Sequence, residues 1–117
     1  MAILGGVMKV KIKEYEYEIV EVDKDEKGFT NANGELQLYG QTIYDEQKIK
    51  LYKHLNITRK RATLIHELTH AFHDVYLASQ HIKDEFDEED ICCFVASYSE
   101  DILNIVNDYF KREVKQC

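Results

Sequence analysis

Two histidines and a glutamate lie close together in the run His66-Glu67-Leu68-Thr69-His70 of this 117-residue chain. If the run is helical, His66 and His70 are one turn apart on one face, so both imidazoles can bind the same ion. Glu67 is rotated by about 100° from His66, which puts its carboxylate beside that ion rather than on it. The pattern H-E-x-x-H therefore predicts a hydrolytic zinc site with its general base.

The chemistry expected of such a site is hydrolysis of a peptide bond. Zinc lowers the pKa of a water molecule to about 7 and polarises a carbonyl group. Glu67 would take the proton of that water and pass it to the leaving amine. The alternative is a pair of structural histidines. Imidazoles repeated on one helical face beside a glutamate are costly without partners, which favours the metal site.

The residues around the motif predict the helix that must position it. Ile65, Leu68, Phe72 and Val75 recur at helical spacing and give the segment one apolar side. No glycine or proline interrupts the chain from residue 56 to residue 80. The motif is therefore expected inside a helix of ordinary length.

The start of this helix carries positive charge. Thr58 is the expected N-cap, and Arg59-Lys60-Arg61 follow it in the first turn, where cations oppose the helix dipole. We expect the acids of residues 84–90 to compensate this charge. Contact with an acidic partner or a phosphate backbone is the alternative.

A catalytic zinc ion commonly has three protein ligands and one open position, so a further ligand is needed. The pattern H-E-x-x-H-x-x-G-x-x-H is excluded, because His73 stands at its glycine and Tyr76 at its last histidine. A more distant histidine would have to be His81, whose surroundings give no further support. The remaining arrangement takes a glutamate from the next helix.

That helix is predicted over residues 87–103, where Ile91, Val95, Tyr98 and Ile102 form an apolar stripe. Its first turn is rich in carboxylates. Acids at this position also stabilise a helix through its dipole, by about 0.3–1 kcal/mol each. Most of them are expected to do only that.

The choice of ligand in this turn depends on how closely the two helices approach. A short glutamate side chain reaches the ion only if small residues follow it one and two turns later. Glu89 is followed by Cys92 and Ala96, whereas Glu88 is followed by two larger branched residues. Glu89 is therefore the expected third ligand, with Glu88 as the alternative.

The run T-L-I-H-E-L-T-H-A-F-H is followed, after a short loop, by E-E-D-I-C-C-F-V-A. This succession resembles the ImmA/IrrE-type metallopeptidases, in which H-E-x-x-H precedes a helix of the pattern E-x-x-A-N-x-F-A, and in particular their small bacteriophage and prophage versions. The resemblance covers residues 63–103, with Cys92-Cys93 in place of Ala-Asn. It implies a gluzincin-like zinc site with Glu67 as base and, as metal ligands, His66, His70 and Glu89, or Glu88 in place of Glu89.

The two halves of the chain differ in their periodicity. Apolar residues alternate with charged ones before and after a break near Glu14, and the turn signal Asn31-Ala32-Asn33-Gly34 follows. Residues 8–55 are therefore predicted to be rich in strands and residues 57–113 to be helical. The length fits one domain. We expect an α+β fold with a small antiparallel sheet, then the zincin-like motif helix and a long C-terminal helix.

Composition restricts the partners. A net charge of −7 argues against nucleic acid as the main ligand. No apolar run has the length of a membrane span, the first residues do not form a signal peptide, and three cysteines give no disulfide framework, so we expect a cytoplasmic protein.

These features predict a zinc-dependent metallopeptidase that acts on a peptide or protein. By resemblance, its target is a phage or host regulatory protein such as a repressor. The substrate would add to an edge strand beside the motif helix, at residues 47–51 or 36–40. The alternative is a non-proteolytic zinc-containing binding module, such as an anti-repressor or inhibitor.

Overall fold

A computed structural model describes residues 7–78 and 87–115 of the chain. Four strands come first and two helices follow, and the first helix continues directly into a π-helical turn at Asp74–Ala78. No helix in these two ranges is both long and apolar enough to cross a bilayer. The elements are β1 (Met8–Ile12), β2 (Tyr15–Val22), β3 (Gly40–Ile43), β4 (Lys48–Tyr52), α1 (Ile57–His73) and α2 (Glu88–Lys115).

The first two strands form a hairpin at the predicted break in periodicity. Ile12 pairs with Tyr15, so the connection is the two-residue turn Lys13-Glu14, and Lys13 adopts a φ of 58°. Such left-handed backbone matches the twist of a tight hairpin. The break near Glu14 is therefore confirmed as a reversal of the chain.

The sheet has the strand order β1-β2-β4-β3. The α+β fold is confirmed, but the sheet is mixed rather than antiparallel throughout. β1 with β2 and β3 with β4 are antiparallel pairs, whereas β2 runs parallel to β4. The chain between β2 and β4 includes β3, and this long crossover is what brings β4 back in the same direction as β2.

The predicted turn at residues 31–34 forms, but no strand follows it at residues 36–39, and of the expected strand 36–40 only Gly40 belongs to one, as the first residue of β3. The side chain of Asn31 accepts hydrogen bonds from the backbone N–H groups of Asn33 and Glu35, at 2.9 and 3.0 Å. The only strand-like pairing there is an isolated bridge from Thr30 to Leu36. The long connection between β2 and β3 is attached to the sheet by Glu26, which forms an ion pair with Lys50 of β4.

The core lies between one face of the sheet and the two helices. Along β1, β2 and β4, alternate residues point to the helices, as a half-buried sheet requires. Of the predicted apolar side, Leu68 and Phe72 of α1 are buried, as is Val75 in the π-helical turn, whereas Ile65 is only partly buried. The sheet contributes Val10, Ile12, Tyr17, Ile19, Ile49 and Leu51, and α2 contributes Phe94, Ile102, Val106, Tyr109 and Phe110.

The buried face of α2 differs from the predicted stripe. Ile91 and Val95 are each 51% exposed, although Ile102 is buried as expected. The helix has apolar residues on more than one side, so its sequence does not define a single buried face. Phe94 is the buried residue in the first part of the helix, and its ring is tilted by 59° against that of Tyr98, with centroids 5.1 Å apart.

A buried polar network joins both helices to the sheet. The Lys60 ammonium donates to Glu21 on β2 over 3.1 Å, and the hydroxyl of Tyr109 on α2 donates to the other oxygen of the same carboxylate. Lys60 thus has a carboxylate partner on the sheet, and residues 84–86 of the expected acidic partners lie outside the described residues. Arg59 instead lies over the Tyr39 ring, 4.8 Å from its centroid.

Candidate metal site

The motif helix begins two residues earlier than the predicted cap allows. Asn56 is the N-cap in place of Thr58, and its side-chain oxygen accepts the backbone N–H of Arg59 at 2.8 Å. Asparagine is a more strongly preferred N-cap than threonine, so the residue types themselves favoured Asn56. The helix runs unbroken through His66, Glu67 and His70 to His73.

The two histidines of the motif converge on one point in solvent. Both are exposed, and their Nε2 atoms are 3.2 Å apart. Two nitrogens that bind one tetrahedral zinc ion at about 2.0–2.1 Å are roughly 3.3 Å from each other. The rings meet at 76° with centroids 4.9 Å apart, so they do not stack face to face. The pair therefore fits two ligands of one metal ion.

The same geometry has a second meaning in the metal-free protein. One imidazole protonated at Nε2 can donate to the unprotonated Nε2 of the other, since 3.2 Å is within hydrogen-bond range. Metal binding requires that both rings carry their proton on Nδ1 instead. Metal binding would therefore replace this hydrogen bond and move a proton from Nε2 to Nδ1 on one of the two rings.

The Glu67 side chain is buried, although the neighbouring His66 is exposed. It is 7% exposed, and its Oε1 accepts a hydrogen bond of 2.7 Å from the hydroxyl of Thr42 on β3. The same hydroxyl lies 3.0 Å from the backbone oxygen of Glu67. The carboxylate is therefore held between the motif helix and the edge strand of the sheet, adjacent in sequence to His66.

A glycine permits this close approach of helix and strand. A Cβ atom on Gly40 would be 2.7 Å from Cγ2 of Thr63 and 3.1 Å from Cγ of Glu67. Real side chains do not tolerate the first of these distances. Residues 40 and 42 share one face of β3, because side chains alternate along a strand. Gly40 supplies the space and Thr42 the hydrogen bond, and sequence reasoning had assigned neither residue to the site.

The phenols of Tyr17 and Tyr44 both interact with the charge of Asp74, and Tyr44 also interacts with that of Glu67. Burial and then the charges of Asp74 and Glu67 raise the pKa of Tyr44, which follows β3 directly. Burial, followed by the charge of Asp74, raises the pKa of Tyr17 to about 12. Asp74 follows His70 by four residues, and this continued spacing of one turn is a signal from which its position could have been inferred. These shifts keep both phenols protonated as hydrogen-bond donors.

The expected third ligand is not brought to the histidines in the part of the chain that the structure describes. Within residues 7–78 and 87–115, no group of three His, Cys, Asp or Glu residues is arranged to hold a metal ion. Glu88 and Glu89 are both exposed in the first turn of α2. His81 lies outside the described residues.

The close helix contact through small residues that favoured Glu89 is not present in the described residues. Cys92 and Ala96 are exposed, so these small residues do not form the close contact with α1. Asp87 and Asp90, which flank the two glutamates, have a structural role. The side chain of each accepts a hydrogen bond from the backbone N–H of the other, which caps the helix. The choice between Glu88 and Glu89 as a ligand stays a prediction.

An apolar groove of about 420 Å³ runs between α1 and α2. Its two residues from α1 are Ile65 and Thr69, which directly precede the two histidines of the motif. The rest of its lining comes from α2 and is mainly aliphatic and aromatic: Ile91, Phe94, Val95, Ser99, Ile102 and Leu103.

Comparisons of this chain with models of protein families, with curated proteins and with solved structures found no match. The resemblance to the ImmA/IrrE-type metallopeptidases therefore stands on the two motif segments alone. The geometry of the described residues supports one part of that pattern, the paired histidines beside a held glutamate.

Proposed function

We propose that this protein is a zinc-dependent metallopeptidase of the ImmA/IrrE type. The observation that carries the proposal is the convergence of two exposed imidazoles, with Nε2 atoms 3.2 Å apart, beside a carboxylate held on the same helix. A structural pair of histidines has no need of a neighbouring glutamate that is buried and oriented by an edge strand. A hydrolytic site needs each of these groups.

The residues have distinct roles in this proposal. His66 and His70 would hold the zinc ion, and Glu89, or alternatively Glu88, would be the third ligand by resemblance. When bound, zinc polarises a carbonyl group and makes water more acidic. Glu67 would accept a proton from the attacking water and deliver it to the leaving amine.

The position of β3 supports a peptide as substrate. β3 is the edge strand next to the motif helix, whereas β4, which contains most of the expected edge at residues 47–51, is interior. An extended peptide can add to such an edge through main-chain hydrogen bonds. By resemblance, the proposed target is a phage or host regulatory protein, and the proposed location is the cytoplasm.

The metal site can be tested by plasma emission analysis of the purified protein. We expect about one zinc ion per chain in wild type, and its loss in His66→Ala and in His70→Ala, because each variant removes one ligand. His54→Ala is the matched control, since it removes an exposed imidazole that pairs with Asp23 elsewhere. Wild-type protein that binds no zinc would reject the proposal.

Hydrolysis is tested by comparing cells that express wild type with cells that express Glu67→Gln. Mass spectrometry of protein N-termini should find new termini only with wild type, because the amide cannot accept the proton of water. Glu67→Gln should retain zinc. Identical termini in both samples would show that the base, or the activity itself, is assigned wrongly.

A non-proteolytic binding module is the second candidate. The apolar groove favours it, since exposed apolar surface of this kind marks interaction sites and Val95 is 51% exposed there. In that case one protein would co-purify uncleaved with both wild type and Glu67→Gln, and Val95→Asp would abolish its binding. Cleavage of that protein by wild type alone would favour the peptidase instead.

A further inference from the structure

The hydroxyl of Thr42 contacts Glu67 at two points. It lies 2.7 Å from Oε1 of the side chain and 3.0 Å from the main-chain oxygen. A contact with the side chain alone would fix the carboxylate to the strand but not the helical turn that carries it. Since Thr42 reaches both the main chain and the side chain, it relates the direction of the carboxylate to the position of this helical turn.

The contact engages one carboxylate oxygen and leaves the other for chemistry. Within the described residues, the only hydrogen bond to the side chain of Glu67 is the one from Thr42 to Oε1. An ionised carboxylate has about four acceptor positions on its two oxygens. One oxygen is thus anchored, and Oε2 has its acceptor positions available for the proton of a water molecule.

The anchor is built into the strand rather than added by a mobile loop. Gly40 and Thr42 lie on the same face of β3, and they pair with Leu51 and Ile49 of the interior strand β4. Both of those partners are fully buried. Because a side chain on a packed strand is held more precisely than one on a loop, Thr42 has the rigidity that orienting another group requires.

We infer that Thr42 is a positioning residue that orients the Glu67 carboxylate for proton transfer, an inference that rests on the proposed peptidase function. The Thr42 side chain takes no part in the proton transfer itself and acts through the Glu67 carboxylate. The same edge strand would bind the main chain of the substrate and hold the base. The register of the peptide and the direction of the carboxylate are then set by one rigid element, with no loop between them.

The first measurement does not require that the protein cleave a peptide. In chelator-treated protein with ¹³C-labelled glutamate, three-bond couplings report whether the Glu67 side chain keeps one rotamer. We expect one rotamer in wild type, averaging in Thr42→Val, which has the same shape without the hydroxyl, and a single rotamer again in Thr42→Ser. A single rotamer in Thr42→Val would overturn the inference whether or not the protein is a peptidase.

The second measurement separates turnover from binding on a peptide that wild type cleaves. Thr42→Val should lower kcat by about 10- to 100-fold, as expected when a catalytic group is misplaced by up to about 1 Å, with KM changed by less than about threefold. Thr42→Ser should restore most of kcat. A rise in KM at unchanged kcat, or no rescue by serine, would overturn the inference.

Controls keep the outcomes distinct. Thr30→Val removes a threonine hydroxyl from the loop before β3 and should leave the Glu67 rotamer and kcat unchanged. Thr42→Ala replaces Thr42→Val if the latter does not fold, with the same expected averaging. If wild type cleaves no peptide, the proposed function fails, and the rotamer measurement alone then decides whether Thr42 orients Glu67.

Discussion

The motif helix carries two clusters of ionisable residues that differ in how their charges are used. At its start, Lys60 is 8% exposed and donates to Glu21, whose carboxylate also accepts the hydroxyl of Tyr109. In its middle, His66 and His70 are exposed and direct their Nε2 atoms at one point in solvent. The first cluster is buried among its own partners, and the second faces outward.

The difference separates a group that serves the fold from one that is available for chemistry. Charges buried in a low-dielectric interior are tolerated when they are paired and hydrogen-bonded, and such a network links β2, α1 and α2. Exposed imidazoles contribute little to stability, but they can exchange protons and bind an ion. Glu67 combines both features, since it is buried and held at one oxygen while it adjoins the exposed pair.

Removal of Glu21 should produce the largest loss of stability. Glu21→Leu leaves the Lys60 charge and the Tyr109 hydroxyl buried without their acceptor, at an expected cost of about 3–5 kcal/mol in the free energy of unfolding. Urea denaturation measures this cost. The triple variant Glu21→Leu, Lys60→Met, Tyr109→Phe should recover most of it, because no buried charge remains. If the triple variant is as unstable as the single one, the network is not the cause.

A smaller loss is expected from Gly40→Ala. The added Cβ would meet Cγ2 of Thr63 at 2.7 Å, and such overpacking typically costs about 1–3 kcal/mol. Thr63→Ser removes that methyl group and should relieve part of the cost in the double variant. The coupling energy from a double-mutant cycle by urea denaturation measures it. Strictly additive losses would contradict the contact.

Alkaline pH should test the burial of the Tyr17 phenol near the charge of Asp74. The pKa of Tyr17 in the folded protein is about 12, above the ordinary value of 10 that applies to the unfolded chain. Its contribution to stability is therefore present below pH 10 and is lost as the pH rises through about 12. Urea unfolding between these limits should show a weaker loss in Tyr17→Phe than in wild type. Equal slopes would contradict the assignment to Tyr17.

The smallest effect on stability is expected at the histidine pair in the absence of metal. In chelator-treated protein, His66→Ala and His70→Ala should each change the free energy of unfolding by less than about 0.5 kcal/mol, because both residues are exposed. Zinc should raise the melting temperature of wild type at pH 7.5 and not that of either variant, since binding to the folded state alone adds stability. A large loss without metal would make the pair structural.

Local patterns of the sequence were sufficient for the motif helix and for a bulge or break near Glu14, but not for the hairpin that forms there. Ile65, Leu68, Phe72 and Val75 repeat at the helical period, and the alternation of apolar residues changes phase near Glu14. Such signals depend on residues that are close in the chain. The α+β class followed from them, because strands in the first half and helices in the second leave few ways to build one core.

These local patterns could not predict contacts between residues that are distant in the chain. The parallel pairing of β2 with β4 depends on how the chain crosses the sheet, and the buried face of α2 depends on which of its several apolar sides meets the core. Val95 is exposed and Phe94 is buried, although both are apolar. Hydropathy alone does not distinguish two adjacent apolar residues.

The sequence by itself determined that His66 and His70 lie on one face of a helix with Glu67 beside them, because a spacing of four residues is one helical turn in any fold. Tertiary structure decided what holds that glutamate. Thr42 and Gly40 are distant from it along the chain, and only the packing of β3 against α1 brings the hydroxyl to 2.7 Å from Oε1. No local pattern encodes a contact whose two partners are set by the register of a sheet.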